Sequence, residues 1–238
     1  MTRSGDLHRP VVAAVLAIAA LLLHVSVASA QGFASILTEA RFQTLFPKRN
    51  SAYTYAGFKA AVASAYPKFG NEGSPADQKR EVAAFLANVE QETGGLVYIY
   101  EQNKNDVYCD LSTPEARKYP CASGKRYIGR GPLQLTWNYN YGACGNALNI
   151  PLLADPGLAT KDSETLFKTA LWFWMTRGCH EAILRKSFSG TIRAINGGLE
   201  CNQPAGSAGN TKMKNRVQYY KNFCQALDKV DPGTDLEC

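Results

Sequence analysis

The sequence predicts a mainly α-helical (α+β) protein with a small β element. Three long segments, at residues 75–93, 166–175 and 211–227, repeat apolar side chains every three or four positions, which is the spacing of an amphipathic helix. Only LVYIY at residues 96–100 combines aromatic and β-branched residues in a short run typical of a strand. Helices are therefore expected to form most of the structure.

The first long helix carries clear signals at both ends. Ser74 followed by Pro75 is typical of a helix start, with a capping hydroxyl and a proline in the first turn. Apolar side chains continue at helical spacing as far as Val89, and Gly94-Gly95 then ends the helix.

The remaining helices follow in order along one domain. A second helix is expected to begin after Thr136, a third runs through LFKTALWFWM, a fourth ends near Asn196-Gly197-Gly198, and a fifth covers residues 211–227. No internal repeat, long linker or low-complexity block interrupts residues 31–238. We therefore expect a single domain without a separate binding module.

The first thirty residues have the features of a secretory signal peptide. Arg3 and Arg9 precede an apolar run at residues 11–23, and Val-Ala-Ser-Ala precedes Gln31. The run is shorter than the roughly 20 residues that cross a bilayer. We expect cleavage after Ala30 and a secreted, extracellular protein; the alternative is a retained membrane anchor.

The charge and its distribution disfavour nucleic-acid binding. Beyond residue 30 the chain has 24 basic and 19 acidic residues, out of 26 and 20 in the whole chain. The basic residues are scattered, with no run of lysine and arginine interleaved with aromatics. The chain is only weakly cationic.

The cysteines and histidines restrict the possible chemistry. All seven cysteines lie beyond the signal segment, where export favours disulfides, and the odd number leaves one unpaired or paired between chains. No Cys-x-x-Cys occurs and His180 is the only histidine beyond residue 30, so neither a metal nor another cofactor is expected. We expect His180 to be a surface residue beside Glu181, which leaves hydrolytic chemistry to carboxylates.

Two glutamates stand at the ends of VEQETGGLVYIYEQN, residues 89–103. Glu92 lies about 20° from Phe85 on a helical projection, at the edge of the apolar stripe. Partial desolvation and the helix C-terminus both disfavour its charged form, as a general acid requires. Alternatively, Glu92 flanks the stripe without function, as Glu90 does. The glycine turn allows Glu101 to face Glu92 across a gap.

The flanking residues fit a carbohydrate site. Tyr98 and Tyr100 offer flat apolar surfaces for sugar rings, or are ordinary strand aromatics. In GRGPLQLTWNYNYG, residues 129–142, Thr136 is a plausible N-cap that shares a helix face with Tyr139 and Asn140. These three polar groups suit hydroxyl and N-acetyl groups, or form the solvated side of a capped helix.

Several motifs in order resemble those of family 19 chitinases. FLANVEQETGGLVYIYEQN is followed by YCD, YPC, YIGRGPLQLTWNYNYG, FKTALWFWM, TIRAINGGLEC and a C-terminal cysteine. The resemblance covers residues 42–238, and the chain looks most like the compact, short-loop type of bacteria and of plant class IV. It implies a lysozyme-like fold with two helical lobes around a substrate cleft.

The resemblance also implies an activity and a set of residues. It implies a secreted endochitinase that cleaves internal β-1,4 bonds between N-acetylglucosamine units of chitin and chito-oligosaccharides with inversion, as a monomer without stable membrane association. Glu92 would be the acid and Glu101 the base, about 6.5–9.5 Å apart or more so that a water fits between them. Thr136 would position this water. The implied substrate-binding residues are Tyr119, Gln134, Tyr139, Asn140, Lys168, Asn196 and Arg216, the last matching a buried arginine near the acid.

The resemblance pairs four of the cysteines and leaves some questions open. It implies the disulfides Cys109–Cys121 and Cys201–Cys238. The family usually has histidine before the acid, where this chain has Gln91, so the pH profile is expected to differ. Two alternatives remain: a lysozyme-like enzyme acting on peptidoglycan, and a non-catalytic chitin-binding lectin, which would be expected to lack one of the two glutamates.

Overall fold

Helices make up most of the part of the chain that the structure describes. The computed structural model describes residues 32–103 and 105–238, and the predicted signal peptide lies outside them. The helices include α1 (Glu39–Leu45), α2 (Tyr55–Ala65), α3 (Pro75–Thr93), α4 (Pro114–Arg117), α5 (Asn138–Leu148), α6 (Ser163–Thr176), α7 (Cys179–Leu184), α8 (Phe188–Glu200) and α9 (Ala208–Ala226), with a 3₁₀-helix at Pro156–Thr160. The predicted mainly α class is confirmed. None of the described helices is long and apolar enough to cross a membrane.

Helix α3 lies at the centre and has the boundaries that the sequence predicts. The Ser74 hydroxyl accepts from the Asp77 backbone N–H, and the Asp77 carboxylate accepts from the Ser74 backbone N–H, forming a capping box. Gly94 ends the helix in the left-handed conformation at φ 60°. Because α3 packs against α7, α8 and α9, most of its residues are buried. Glu92 lies in its last turn.

The predicted strand at residues 96–100 does not form. The Thr93 hydroxyl accepts from Leu96 N at 2.8 Å, and the Thr93 carbonyl accepts from Tyr98 N at 3.0 Å, so these donors serve the turn after α3 instead of a ladder. Leu96 also has a φ of 63°, which is incompatible with a strand. The β element of the described residues consists of isolated bridges, of which Tyr100–Arg130 lies beside the cleft.

Two predicted helix boundaries differ from the structure. Trp137, with φ 76°, occupies the N-cap of α5, and no side chain caps this helix. Thr136 is not the N-cap, since its hydroxyl donates to the Gln134 carbonyl at 2.6 Å. Helix α8 bends at Asn196 (φ −147°, ψ 30°) and continues to Glu200 instead of ending at the glycines.

The buried side chains form two clusters on either side of α6. The larger one joins α1–α3 with α6–α9 and includes Phe58 stacked on Phe167, with ring centroids 4.3 Å apart. The smaller one surrounds Tyr127, in the loop before α5, and Tyr141, on α5 itself. Helix α6 contributes Phe167 to the first cluster and Trp172 to the second. Two packed units therefore share one helix.

The described cysteines form both disulfides that the resemblance implies. Cys109 is bonded to Cys121, and Cys201 is bonded to Cys238. The other three cysteines, Cys144, Cys179 and Cys224, are buried and free. Burial raises the pKa of each free thiol, so these cysteines act as small apolar residues.

His180 is buried, and its expected place on the surface is wrong. Its Nδ1 lies 2.5 Å from Glu81 Oε1 and its Nε2 lies 2.8 Å from Glu72 Oε2. Burial disfavours the charged imidazole, but the two carboxylates outweigh burial and raise the pKa of His180 to about 8. Glu81 also accepts from the Trp174 indole at 3.0 Å, so its role is structural, and it does not line the cleft described next.

Candidate active site

A cleft of about 450 Å³ lies where α3, α5, α6 and α8 approach the loop at residues 98–108. Six of the residues to which the resemblance gives a role line this cleft: Glu92, Glu101, Gln134, Thr136, Asn140 and Asn196. Apolar and aromatic side chains complete its walls: Tyr98, Tyr100, Tyr108, Leu133, Trp137, Phe173, Ile195 and Leu199. Polar groups from distant parts of the chain thus converge on one concave surface.

Glu92 is held by a buried arginine. Its carboxylate accepts from Nη2 of Arg216, which is 1 % exposed and belongs to α9. Arg216 also donates from Nε and Nη2 to the two carboxylate oxygens of Glu200, at 2.7 and 2.8 Å, and from Nη1 to Asn88 at 3.0 Å. Burial opposes the charge on the guanidinium, but the carboxylates of Glu92 and Glu200 outweigh burial and raise the pKa of Arg216.

Glu200 is a site residue that sequence reasoning missed. It is 1 % exposed and ends α8, where its Oε1 accepts from Asn196 Nδ2 at 2.8 Å. Its spacing of four residues from Asn196 was the available signal, because such pairs share a helix face. Glu200 thereby connects the arginine that holds Glu92 with an amide that lines the cleft.

Glu101 lines the same cleft and has its own donors. Tyr108 donates from its hydroxyl to Oε1, and the Gly129 backbone N–H donates to Oε2 at 3.1 Å. The Glu101 backbone N–H donates to the Gly129 carbonyl at 2.9 Å, which fixes the main chain as well. The hydrogen bond to Glu101, with burial, raises the pKa of Tyr108 to about 12. Sequence reasoning missed Tyr108, whose only signal was its place in the YCD motif.

Thr136, Gln134 and Asn140 form one hydrogen-bonded group. The Thr136 hydroxyl donates to the Gln134 carbonyl, while the Thr136 carbonyl accepts from Asn140 Nδ2 at 3.0 Å. Gln134 and Trp137 both have positive φ, at 47° and 76°. Such backbone strain persists only where the surroundings enforce it, and it is frequent at functional sites.

Aromatic rings form the rim of the cleft. Tyr98 is 47 % exposed, Tyr100 is 40 % exposed and Trp137 is 37 % exposed. Tyr139 does not line the cleft but stacks on Trp137, with ring centroids 6.2 Å apart and an interplanar angle of 12°. The rim therefore presents flat apolar surfaces beside polar groups, an arrangement suited to sugar rings.

Three further residues named from the resemblance lie outside the cleft. Arg216 is buried beneath it and reaches it only through Glu92 and Glu200. Lys168 forms an ion pair with Glu164 at 2.7 Å beside a second cavity bordered by α2 and α5. Tyr119 packs its ring against α5, so closely that a Cβ at Gly142 would lie 2.1 Å from it. Arg216 is thus buried beside Glu92, as the resemblance implies, whereas Lys168 and Tyr119, implied as sugar contacts, do not line the cleft. Gln91, at the position before Glu92, is half-buried and does not line the cleft.

Comparison with known proteins identifies the family. The sequence model of glycoside hydrolase family 19, described as chitinase class I, matches residues 27–238. The chain is 46 % identical to endochitinase A of Zea mays over 213 residues, which is 86 % of this chain and 71 % of the maize protein. It is 48 % identical to endochitinase B of Zea mays over 188 residues, which is 78 % of this chain and 62 % of that protein.

A solved structure of the same family has the same fold. The family 19, class IV chitinase from Zea mays superimposes with a TM-score of 0.75 and 44 % sequence identity, over 86 % of this chain and 98 % of that structure. The predicted lysozyme-like architecture agrees with this match. The family match, the identities and the fold lead to one conclusion: this chain belongs to glycoside hydrolase family 19, the chitinases.

Proposed function

We propose that this protein is a secreted endochitinase that hydrolyses internal β-1,4 bonds between N-acetylglucosamine units of chitin with inversion. The observation that carries the proposal is the placement of Glu92 and Glu101, which line one cleft from two separate segments, each with its own hydrogen-bond donors. Two carboxylates in one sugar-sized cleft are the minimum machinery of a glycoside hydrolase.

Glu92 acts as the general acid. A proton on Glu92 passes to the glycosidic oxygen as the bond to the anomeric carbon breaks. Arg216 is suited to hold this group because its charge is already balanced by the buried carboxylate of Glu200. The charge of the Arg216 guanidinium therefore stays balanced by Glu200 when Glu92 carries a proton.

Glu101 acts as the general base toward a water molecule on the opposite face of the sugar. Tyr108 and Gly129 fix both of its oxygens, so its remaining lone pairs have a defined direction. The Thr136 hydroxyl donates its hydrogen bond to the Gln134 carbonyl, so only its lone pairs are available to the cleft. It therefore accepts one hydrogen of the water while Glu101 removes the other.

The polar wall and the aromatic rim bind the substrate. Gln134, Asn140 and Asn196 present amide groups that match the hydroxyl and N-acetyl groups of the sugar. Tyr98 and Tyr100 provide the flat surface against which sugar rings pack.

Secretion follows from the signal-peptide features of residues 1–30, and the enzyme acts as a monomer on extracellular chitin.

The deciding experiment is proton NMR of the mature protein mixed with a chitin hexamer. Early formation of α-anomeric reducing ends, from cuts within the chain, is the expected result. Early β-anomer would overturn inversion and require a nucleophile. Binding without cleavage would favour the lectin, and cleavage of peptidoglycan alone would favour the lysozyme-like alternative.

Glu92→Gln provides the matching test of the acid. Because amide nitrogen cannot supply the proton, the hydrolysis rate is expected to fall by a factor of about 10³ or more while hexamer binding persists. Glu90→Gln is the matched control, since Glu90 lies on the same helix, half-buried, and does not line the cleft. Comparable rates for Glu92→Gln and the wild type would refute the assignment.

A further inference from the structure

Arg177 contacts Asn140, which lines the cleft, without lining the cleft itself. It is the C-cap of α6, where its backbone N–H donates to the carbonyl of Phe173 at 2.9 Å. From there its guanidinium lies over the ring of Trp172, 5.0 Å from the centroid, and its side chain is 28 % exposed. The cation–π contact and the packing restrict the directions in which its nitrogen atoms point.

Two of its nitrogen atoms have partners on different elements. Nη2 donates to Asn140 Oδ1 on α5 at 3.1 Å, and Nη1 lies 3.3 Å from Glu115 Oε1 on α4. Nε is buried and has no hydrogen-bond partner in the part of the chain that the structure describes. A buried donor left unpaired is unfavourable, so the guanidinium is held in this place by its other contacts.

The contact with Asn140 determines which way its amide faces. Asn140 Nδ2 donates to the Thr136 carbonyl at 3.0 Å, and Oδ1 accepts from Arg177. A guanidinium can only donate and a carbonyl can only accept, so a flipped amide would lose both hydrogen bonds. The remaining hydrogen of Nδ2 and the remaining lone pair of Oδ1 are consequently fixed, and Asn140 lines the cleft.

We propose that Arg177 is a positioning residue for substrate binding, acting through the amide of Asn140. The proposal rests on the proposed function, in which Asn140 contacts the sugar. The charged donor suits this role because charge-assisted hydrogen bonds are stronger than neutral ones, and the half-buried setting limits competition from water. Arg177 does not line the cleft, so it affects the substrate only through Asn140.

The other possible role for Arg177 is a structural tie to α4 through Glu115. Glu115 is 55 % exposed, and exposed ion pairs contribute little. Glu115→Gln removes this ion pair and leaves the contact with Asn140 intact. It is therefore the matched control for Arg177→Met, which removes both contacts while keeping a long apolar side chain over Trp172.

The test is steady-state hydrolysis of a chitin hexamer by the wild type, Arg177→Met, Glu115→Gln, Asn140→Ala and the double variant Arg177→Met/Asn140→Ala. Arg177→Met is expected to raise KM about fivefold, the equivalent of one ordinary hydrogen bond, with kcat within about twofold. Glu115→Gln is expected to leave KM unchanged. The double variant is expected to match Asn140→Ala, because Arg177 acts through that residue.

Several results would overturn the proposal. The first is a KM that stays unchanged in Arg177→Met although Asn140→Ala raises it. The second is an equal rise of KM in Arg177→Met and in Glu115→Gln. The third is a KM in the double variant that rises by the product of the two single increases. If Arg177→Met does not fold, as judged by circular dichroism, Arg177→Lys replaces it; a KM equal to the wild type would then count against the fixed guanidinium. Failure of the wild type to cleave the hexamer would instead refute the proposed function.

Discussion

The substitution Glu200→Gln tests the balance of charge around the proposed acid. In the wild type, one buried guanidinium, that of Arg216, contacts the carboxylates of Glu92 and Glu200. Glutamine has nearly the same shape and keeps an oxygen that accepts from Arg216, but it carries no charge. The substitution therefore removes the charge together with one of the two oxygen acceptors that Glu200 offers to Arg216.

The magnitude follows from the shared contact. Glu92 and Glu200 both accept from Nη2 of Arg216, so their nearest oxygens lie within about 5 Å of one another. Two unit charges at about 5 Å repel by roughly 3 kcal/mol at an effective dielectric constant of about 20. This repulsion favours a proton on Glu92. Removing it favours the ion pair between Glu92 and Arg216 over the state in which Glu92 donates its proton, by up to roughly 3 kcal/mol.

The assay is the dependence of kcat/KM on pH with a chitin hexamer as substrate, from about pH 4 to about pH 9. We expect the alkaline limb of the Glu200→Gln profile to move toward lower pH by about one to two units, with the acidic limb unchanged. Glu181→Gln, at an exposed position on α7, is the control and should reproduce the wild-type profile. An alkaline limb that stays in place, or moves toward higher pH, would refute the reasoning.

Three further predictions concern the base, a buried histidine and a disulfide. Tyr108→Phe removes a donor to Glu101, so kcat is expected to fall about tenfold with KM nearly unchanged, and a fall below twofold in steady-state kinetics would contradict this role. Because the pKa of His180 is raised to about 8, its protonation contributes about 2 kcal/mol to the free energy of unfolding below about pH 6.5, and this contribution is lost as the pH rises through 8. Urea unfolding should show this decrease in the wild type and not in His180→Gln. Replacing Cys201 and Cys238 by serine opens a loop with a sequence separation of 37, and unfolding measurements are expected to show a loss of about 4 kcal/mol, whereas a loss under about 1 kcal/mol would contradict the chain-entropy reasoning.

Local signals in the sequence were sufficient for the main helices. Helix α3 begins at Pro75 and ends before Gly94, as predicted, because a capping box and a left-handed glycine act within a few residues of the chain. The same locality explains the wrong strand at residues 96–100. Thr93 takes the backbone donors of the following turn, and a pattern of aromatic and β-branched residues cannot reveal that competition.

The sequence by itself also determined the two carboxylates of the site, because their motif and spacing resemble those of a known family. It did not reveal what holds them. Glu200 and Arg216 belong to different helices, and Arg216 is 124 residues from Glu92. His180 was expected on the surface, yet its partner Glu81 lies 99 residues away along the chain.

The tertiary structure decided these partners for a physical reason. Caps and apolar periodicity depend on neighbours within one or two turns, so a sequence read along its length contains them. The packing of the helices decides which charged and amide groups contact each other in the interior. Arg216, Glu200 and Tyr108 therefore acquired their contacts only when α8, α9 and the loop after α3 came together. The sequence alone thus predicted the main helices and the two carboxylates that line the cleft, and packing decided the surroundings that hold those carboxylates in place.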